Sequence, residues 1–353
     1  MNSAQPHPVP SGQPQKVAVP ATEVPLVSGR SLTSDAFRRL RRNRAAIAGV
    51  VIVLLNILVA ILAPVVAPRS FDDATLPDSN ATPVWVTRIF TGMKPRDAGG
   101  YVKMSDEYLL GADKLGRDLF SRILYGSRVS IAVAIVGPLV SILIGFFVGL
   151  VSGFKGGRVD NLLMRFVDIM YAFPTILLII LLMAFFRAGF SAEQHGALVN
   201  TLARIDTAMG GLLFIFMGIG LTAWMGAARL VRGQVLSVRQ NEYIIAAQAV
   251  GVPTPRTIMR HILPNIVGPL IITETLSIPS YIAYEAFLSF IGLGVNPPTP
   301  SWGSMIADGS LVIANYPNQA IFPALALFLL MFSFNFLGDG LRDALDPTLR
   351  GWD

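Results

Sequence analysis

The sequence predicts an all-α membrane protein with six transmembrane helices, on three observations. Of its 353 residues, 53% are hydrophobic and only 14% charged, whereas a soluble globular chain carries roughly 25% charged residues. The apolar residues fall into six long runs separated by polar stretches. Basic residues gather at alternate ends of those runs, as the positive-inside rule requires of cytoplasmic loops. The formal charge of +6 is spent on membrane flanks, so it is no sign of nucleic-acid binding. With no cysteine, disulfides, thiol chemistry and Cys-based metal sites are excluded.

Residues 1–30 hold six prolines and too little apolar surface for a core, which predicts a disordered tail. Residues 31–67 combine a basic elbow helix with the first span. Ser34 stands at the helix start, and Arg38, Arg39, Arg41, Arg42 and Arg44 precede the apolar run, placing this elbow at an anionic cytoplasmic face. The run 45–67 has 23 residues and no charge, enough to cross a hydrocarbon core of roughly 30 Å. A secretory signal would have an apolar region of only about 7–15 residues.

The segment 68–127 carries eight basic and eight acidic residues and is assigned to the extracytoplasmic side, as either a small cap or a linker. Residues 128–341 form the membrane core, with further runs at 130–151, 166–186, 208–228, 265–291 and 320–338. Six crossings put both termini on one side. The basic N-terminal flank, the GFKGGRVD loop (153–160) and the connection 229–264 place that side in the cytoplasm, leaving 342–353 as a cytoplasmic C-terminal tail.

Within 229–264 lies EYIIAAQAVGVPTPRTIMRHILPN, residues 242–265. Tyr243, Ala246, Ala247 and Val250 recur at helical spacing. Gly251 sits where a helix end favours a left-handed residue, and Thr254 with Pro255 reads as the start of a second helix. The expectation is a helical hairpin, 242–264, whose small-residue stripe admits another surface. Packing beneath its own helices is the competing reading.

Ionisable groups inside spans are costly and therefore informative. Glu274 and Glu285 are eleven residues apart, three helical turns to within about 20°, so they share a face with Tyr281. Asp168 and Tyr171 offer a second polar edge. These five residues are candidates for a water-filled translocation path, with structural pairing as the alternative. Pro279, in mid-span, is the hinge candidate. An intramembrane hydrolase is disfavoured because His7, His195 and His261 all lie outside the spans. No His/Asp/Glu set has metal-ligand spacing.

The hairpin resembles the EAA loop of permease subunits in binding-protein-dependent ABC importers: Ala246-Ala247, Gly251 and Leu263-Pro264 fall at that family's spacing. Ile245 departs from it, since a Glu is typical there; Glu242, three residues earlier, lies on the same helical face. LLGADKLGRDLFSRILYGSRVSI (109–131), FLSFIGLGVNPPTPSWGSMI (287–306) and LRDALDPTLR (341–350) are similar to segments of the dipeptide, oligopeptide and nickel permeases. The basic elbow, LAPVVAP and the long outer segment resemble their C-type subunit.

This resemblance implies a type I ABC importer permease fold, with the hairpin as the coupling helix. It assigns contact with the ATPase to Glu242, Ile245, Ala246, Ala247, Gly251, Val252, Pro253 and Arg256. It further implies a heterodimer with a B-type permease, two ATP-binding cassette subunits carrying ATP and Mg2+, an extracytoplasmic solute-binding protein, and a place in the cytoplasmic (inner) membrane for peptides or a related small solute. The chain has no G-x-x-x-x-G-K-[ST] stretch, so it binds no nucleotide by that route and is not expected to be an enzyme. The rival reading is an ion-coupled secondary transporter using Glu274, Glu285 and Asp168.

Overall fold

The computed structural model describes residues 38–190 and 197–345. The expected tail 1–30, the Ser34 cap, His195 and residues 346–353 lie outside them. In chain order the helices are α1 Arg44–Val66, α2 Val84–Ile89, α3 Leu119–Lys155, α4 Gly157–Tyr171, α5 Thr175–Phe190, α6 Ala197–Ala208, α7 Leu212–Arg239, α8 Glu242–Ala249, α9 Thr254–Thr257, α10 Leu263–Phe290, α11 Trp302–Ser310 and α12 Asn318–Leu345. Among the described residues β-structure is limited to isolated bridges.

Five helical stretches are long and apolar enough to cross a membrane, and α4 with α5 form a bent pair that makes a sixth crossing if the two count as one broken span. That break corrects the expectation of one continuous third helix over 166–186. The axes of α4 and α5 differ by 84°. Pro174 accounts for it: proline offers no N–H to the preceding turn and disfavours helical geometry in the residue before it. Pro279, the expected hinge, instead lies inside the unbroken α10. Two further expectations shift at their edges. α3 begins at Leu119, inside the presumed outer segment, where the Asp118 carboxylate accepts from Ser121 N–H at 2.8 Å. α12 runs to Leu345, past the expected end of the last span. At the basic elbow, residues 38–42 are helical, and Asn43 then caps α1, its side chain accepting from Ala46 N–H.

The centre of the bundle is the crossing of α3 and α7. Lipid tails are as apolar as leucine, so close van der Waals approach must hold membrane helices together, and small residues permit it. Gly145, Gly149 and Gly153 recur every four residues on one face of α3. A Cβ added at Gly149 would lie 2.5 Å from the Ala228 carbonyl oxygen, and one at Gly153 2.9 Å from that of Arg232. The helix backbones therefore touch with nothing between them. α10 then packs across α3 and α12, and Ile278 and Ile282 share a buried cluster with Ile131, Ala134, Leu330 and Phe334.

The stretch between α1 and α3 is a compact module rather than a linker. Ala81, Tyr108 and Ala112 form one small core, and Val86, Met93 and Val102 another. The Asp78 carboxylate accepts from Lys103 at 2.7 Å and from the Tyr108 hydroxyl at 2.9 Å. The start of α12 fastens the module down: Asn318 Nδ2 donates to the Leu110 carbonyl, and Gln319 Nε2 to Asn80 Oδ1 and the Ala112 carbonyl.

Two outcomes are expected. Gly149→Val forces the α3–α7 contact apart, an overpacking cost of about 3 kcal/mol, and lowers the melting temperature of the detergent-solubilised protein; Gly233→Ala, which meets nothing within 4 Å, leaves it unchanged. The bonds from Lys103 and Tyr108 hold the Asp78 carboxyl below its ordinary range. A carboxylate whose folded-state pKa is depressed stabilises the fold above its unfolded pKa, and that contribution is lost as pH falls through the folded value. Amide exchange across 76–108 therefore accelerates on acidification, and Asp78→Asn shows the faster exchange already at neutral pH.

Candidate functional site

The hairpin leaves α7 at Gln240–Asn241, and its first helix is held by Ile244 while Thr257 and Ile262 anchor its second half. Ile244 is fully buried among Val235, Val238, Ile262 and Ile266. Around it Glu242, Tyr243, Ala246 and Val250 are exposed and Ala247 is half-buried. The apolar stripe read from the sequence thus faces away from the bundle. Ile245 is 55% exposed, so no apolar packing within the chain replaces the missing charge.

The turn at Gly251 closes α8 as the spacing predicts. Gly251 adopts φ 84°; its N–H donates to the Gln248 carbonyl, and Val252 N–H donates to that of Ala247. These two bonds are the Schellman pattern, which satisfies helix-end carbonyls through a left-handed residue. The expected second-helix start moves by one residue: Pro253 occupies the cap position and Thr254 the first helical one, without a side-chain cap bond. Pro253 and Arg256 are exposed and Val252 is half-buried. A π-helical turn, Ile258–Ile262, leads into α10.

The path candidates divide into two groups. Glu274, Tyr281 and Glu285 are buried, with exposures of 3%, 6% and 0%, which corrects the picture of an open polar stripe on this helix. Glu274 accepts from the Tyr281 hydroxyl at 3.0 Å, and the single proton of the Ser141 hydroxyl on α3 is shared between Glu274, 2.9 Å away, and the Ala223 carbonyl of α7, 3.1 Å away. Glu285 accepts from Ser289 at 2.7 Å. In a low-dielectric interior a carboxyl group persists only when hydrogen-bonded; Glu274 is served by hydroxyls on its own and a facing helix, whereas Glu285 has only the Ser289 bond and its Oε2 is buried without a partner among the described residues. Asp168 and Tyr171, by contrast, are exposed at the end of α4, beside the broken span.

Asp168 is joined to Arg229 of α7 at 2.6 Å, and the Arg229 guanidinium stands 4.0 Å from the centre of the Tyr171 ring. Eight residues earlier on α4, Asp160 takes two bonds from Arg232, one of them 2.6 Å long, and one from Ser152. Two clamps therefore tie α4 to α7, the helix that continues into the hairpin. Arg229 and Arg232 read as topological charges in sequence; the available signal was a pair of carboxylates, 160 and 168, waiting for partners.

A bundle of up to six crossings with no nucleotide-binding loop, carrying an exposed hairpin on one membrane face, defines the membrane component of a transporter. The chain belongs to the family described as binding-protein-dependent transport system inner membrane component, matched over residues 141–351. Residues 31–83 match the N-terminal TM domain of oligopeptide transport permease C.

The chain is 36% identical over 344 residues to the oligopeptide transport system permease protein OppC of Bacillus subtilis, covering 97% of this chain and 99% of the relative. It is 37% identical over 321 residues to the dipeptide transport system permease protein DppC of the same organism, covering 91% and 87%. It is also 37% identical over 324 residues to OppC of Escherichia coli strain K12, covering 92% and 94%. The chain is thus a permease subunit of an ABC importer and not an enzyme, the ATPase residing in separate subunits. The ion-coupled alternative finds no support in these matches.

Replacing Asp160 by Asn is expected to destabilise the protein by about 2 kcal/mol, at the lower end for a broken ion pair because Arg232 keeps a third of its side chain in solvent. Thermal unfolding checks this, with recovery in the Asp160→Arg/Arg232→Asp exchange.

Proposed function

We propose that the protein forms half of the translocation path of a peptide importer in the cytoplasmic (inner) membrane, with both termini in the cytoplasm. In this reading it pairs with a B-type permease, binds two ATP-binding cassette subunits that carry ATP and Mg2+, and receives its solute from an extracytoplasmic binding protein. The observation that carries the reading is the hairpin: a turn presenting Glu242, Ile245, Ala246, Ala247, Val252, Pro253 and Arg256 around Gly251, while Ile244, Thr257 and Ile262 are buried against the bundle. Peptides are the solute class because the named relatives transport oligopeptides and dipeptides.

Transport couples two states, and ATP use drives the exchange only through contacts that differ between them. The hairpin supplies such a contact to the ATPase. Asp168 and Tyr171, exposed beside the break at 172–174, are the path residues. Glu274, Tyr281 and Glu285 hold the helices that bound the path and meet it only if the bundle opens. The break in the third span takes the flexing role first given to Pro279.

Gly251→Val places a β-branched residue at a positive φ, which such residues resist, while a Cβ there meets nothing within 4 Å. The expected result is loss of ATPase copurification and of peptide uptake, with Gly251→Asn largely retaining both because Asn tolerates the left-handed region. Normal uptake by the Val variant would refute the coupling role. ATP-dependent accumulation of a labelled peptide in proteoliposomes made permeable to ions tests the transport assignment itself.

A further inference from the structure

The module before α3 presents a surface that the transport reading does not use. α2 turns Val86 into the module's core but leaves Trp85 and Ile89 exposed, at 38% and 61%, beside Leu109 at 54%. Trp85 is fixed: its indole N–H donates to the Leu109 carbonyl at 2.8 Å, and its ring lies 5.7 Å from that of Phe322. Phe90, just past α2, reaches the same ring at 6.1 Å.

Phe322 sets the height of this surface. It is the fifth residue of the spanning helix α12, so about 6 Å below the helix start and at the head of the apolar run. α2 therefore lies against the first turns of a membrane helix instead of standing above them. Along the segment itself the charge has one sign: residues 84–96 contain Arg88, Lys94 and Arg96 and no carboxylate. Asp106 stands at the start of α2, its Oδ1 accepting from Val84 N–H at 3.1 Å, and the module's other acids lie at 72–78, 97, 107, 113 and 118. An indole and aliphatic side chains at the end of a span, rimmed by lysine and arginine, are the composition of the membrane–water interface: the ring sits at headgroup level and the cations meet lipid phosphate.

We propose that α2 and the turn after it are a membrane-surface anchor, with Trp85 and Ile89 seated in the leaflet opposite the hairpin and Arg88 and Lys94 on anionic phospholipid headgroups. The anchor fixes the outer module beside the mouth of the bundle, because Asn318 and Gln319 tie that same module to α12. A docking face for the solute-binding protein would need this surface to stand in water, clear of the bilayer.

The absence of cysteine permits a direct test. Ile89→Cys and, as a water-exposed control, Asp73→Cys are labelled with a nitroxide in the full chain. The chain is assembled with cysteine-free partner subunits in vesicles of phosphatidylcholine, with or without phosphatidylglycerol. At Ile89 the ratio of oxygen to nickel-chelate collisions is expected to be several-fold higher than at Asp73. It should rise further with phosphatidylglycerol, and Arg88→Gln/Lys94→Gln should abolish that rise. A ratio at Ile89 equal to that at Asp73, or shielding from both reagents by a protein partner, overturns the anchor. A ratio indifferent to phosphatidylglycerol in the parent chain overturns the headgroup contact.

Discussion

The structure depends on the backbone contact between α3 and α7. Three glycines at four-residue spacing remove every side chain from one face of α3, and α7 fills the space with Ala227, Ala228, Val231 and Val235. In lipid there is no water to expel, so contact distance decides helix association. A methyl group between these helices would move Ser141 away from Glu274 and shift the face from which Arg229 and Arg232 reach α4. The buried polar bonds and the clamps are thus consequences of how closely two helices can lie.

Given that contact, the costly groups become affordable. Glu274 is bonded by two hydroxyls at the junction of α3, α7 and α10, and the Ser141 bond to Ala223 draws the third helix into the same set. Such a set orients helices more than it holds them, because its bonds have narrow geometry while dispersion contacts tolerate sliding. The glycine stripe and the Glu274 network therefore divide the work: one fixes distance, the other fixes rotation and register.

Much of this was legible in the sequence, for identifiable reasons. The apolar runs report spans because backbone satisfaction in lipid leaves few alternatives to a helix, and Gly251 reports its turn because few residues accept φ 84°. What stayed hidden depends on partners far apart in the chain. Asp160 and Arg232 are 72 residues apart, and nothing local says which arginine a loop carboxylate will meet. The burial of Glu274 and Glu285 was hidden for the same reason: helical spacing shows that they share a face, but not whether water or a neighbouring helix covers it. The third span misled because its hydropathy is continuous across Phe173-Pro174 while its backbone is not.

These elements have a mechanical consequence. α7 runs without a break from the Glu274 network to Arg239, two residues before the hairpin's cap at Asn241, so a displacement imposed on the hairpin is passed along a stiff rod. Ile244 prevents the hairpin from sliding independently, being packed at once on α7 and on the start of α10. Through Asp160, α4 is tied to α7, since separating that pair strands a carboxylate largely removed from water; the exposed Asp168–Arg229 pair adds little to the hold. α5 has no such ion pair among the interactions described; it packs directly on α7, with Ile179 and Met183 buried among Ile215 and Ile219. In the proposed coupling, motion entering at the hairpin reaches α4 and α5 through α7, and the break at Pro174 lets these two helices change their mutual angle beside the exposed Asp168 and Tyr171. On the proposed reading this break is where the bundle opens, because both of its arms are held to the helix that continues into the hairpin.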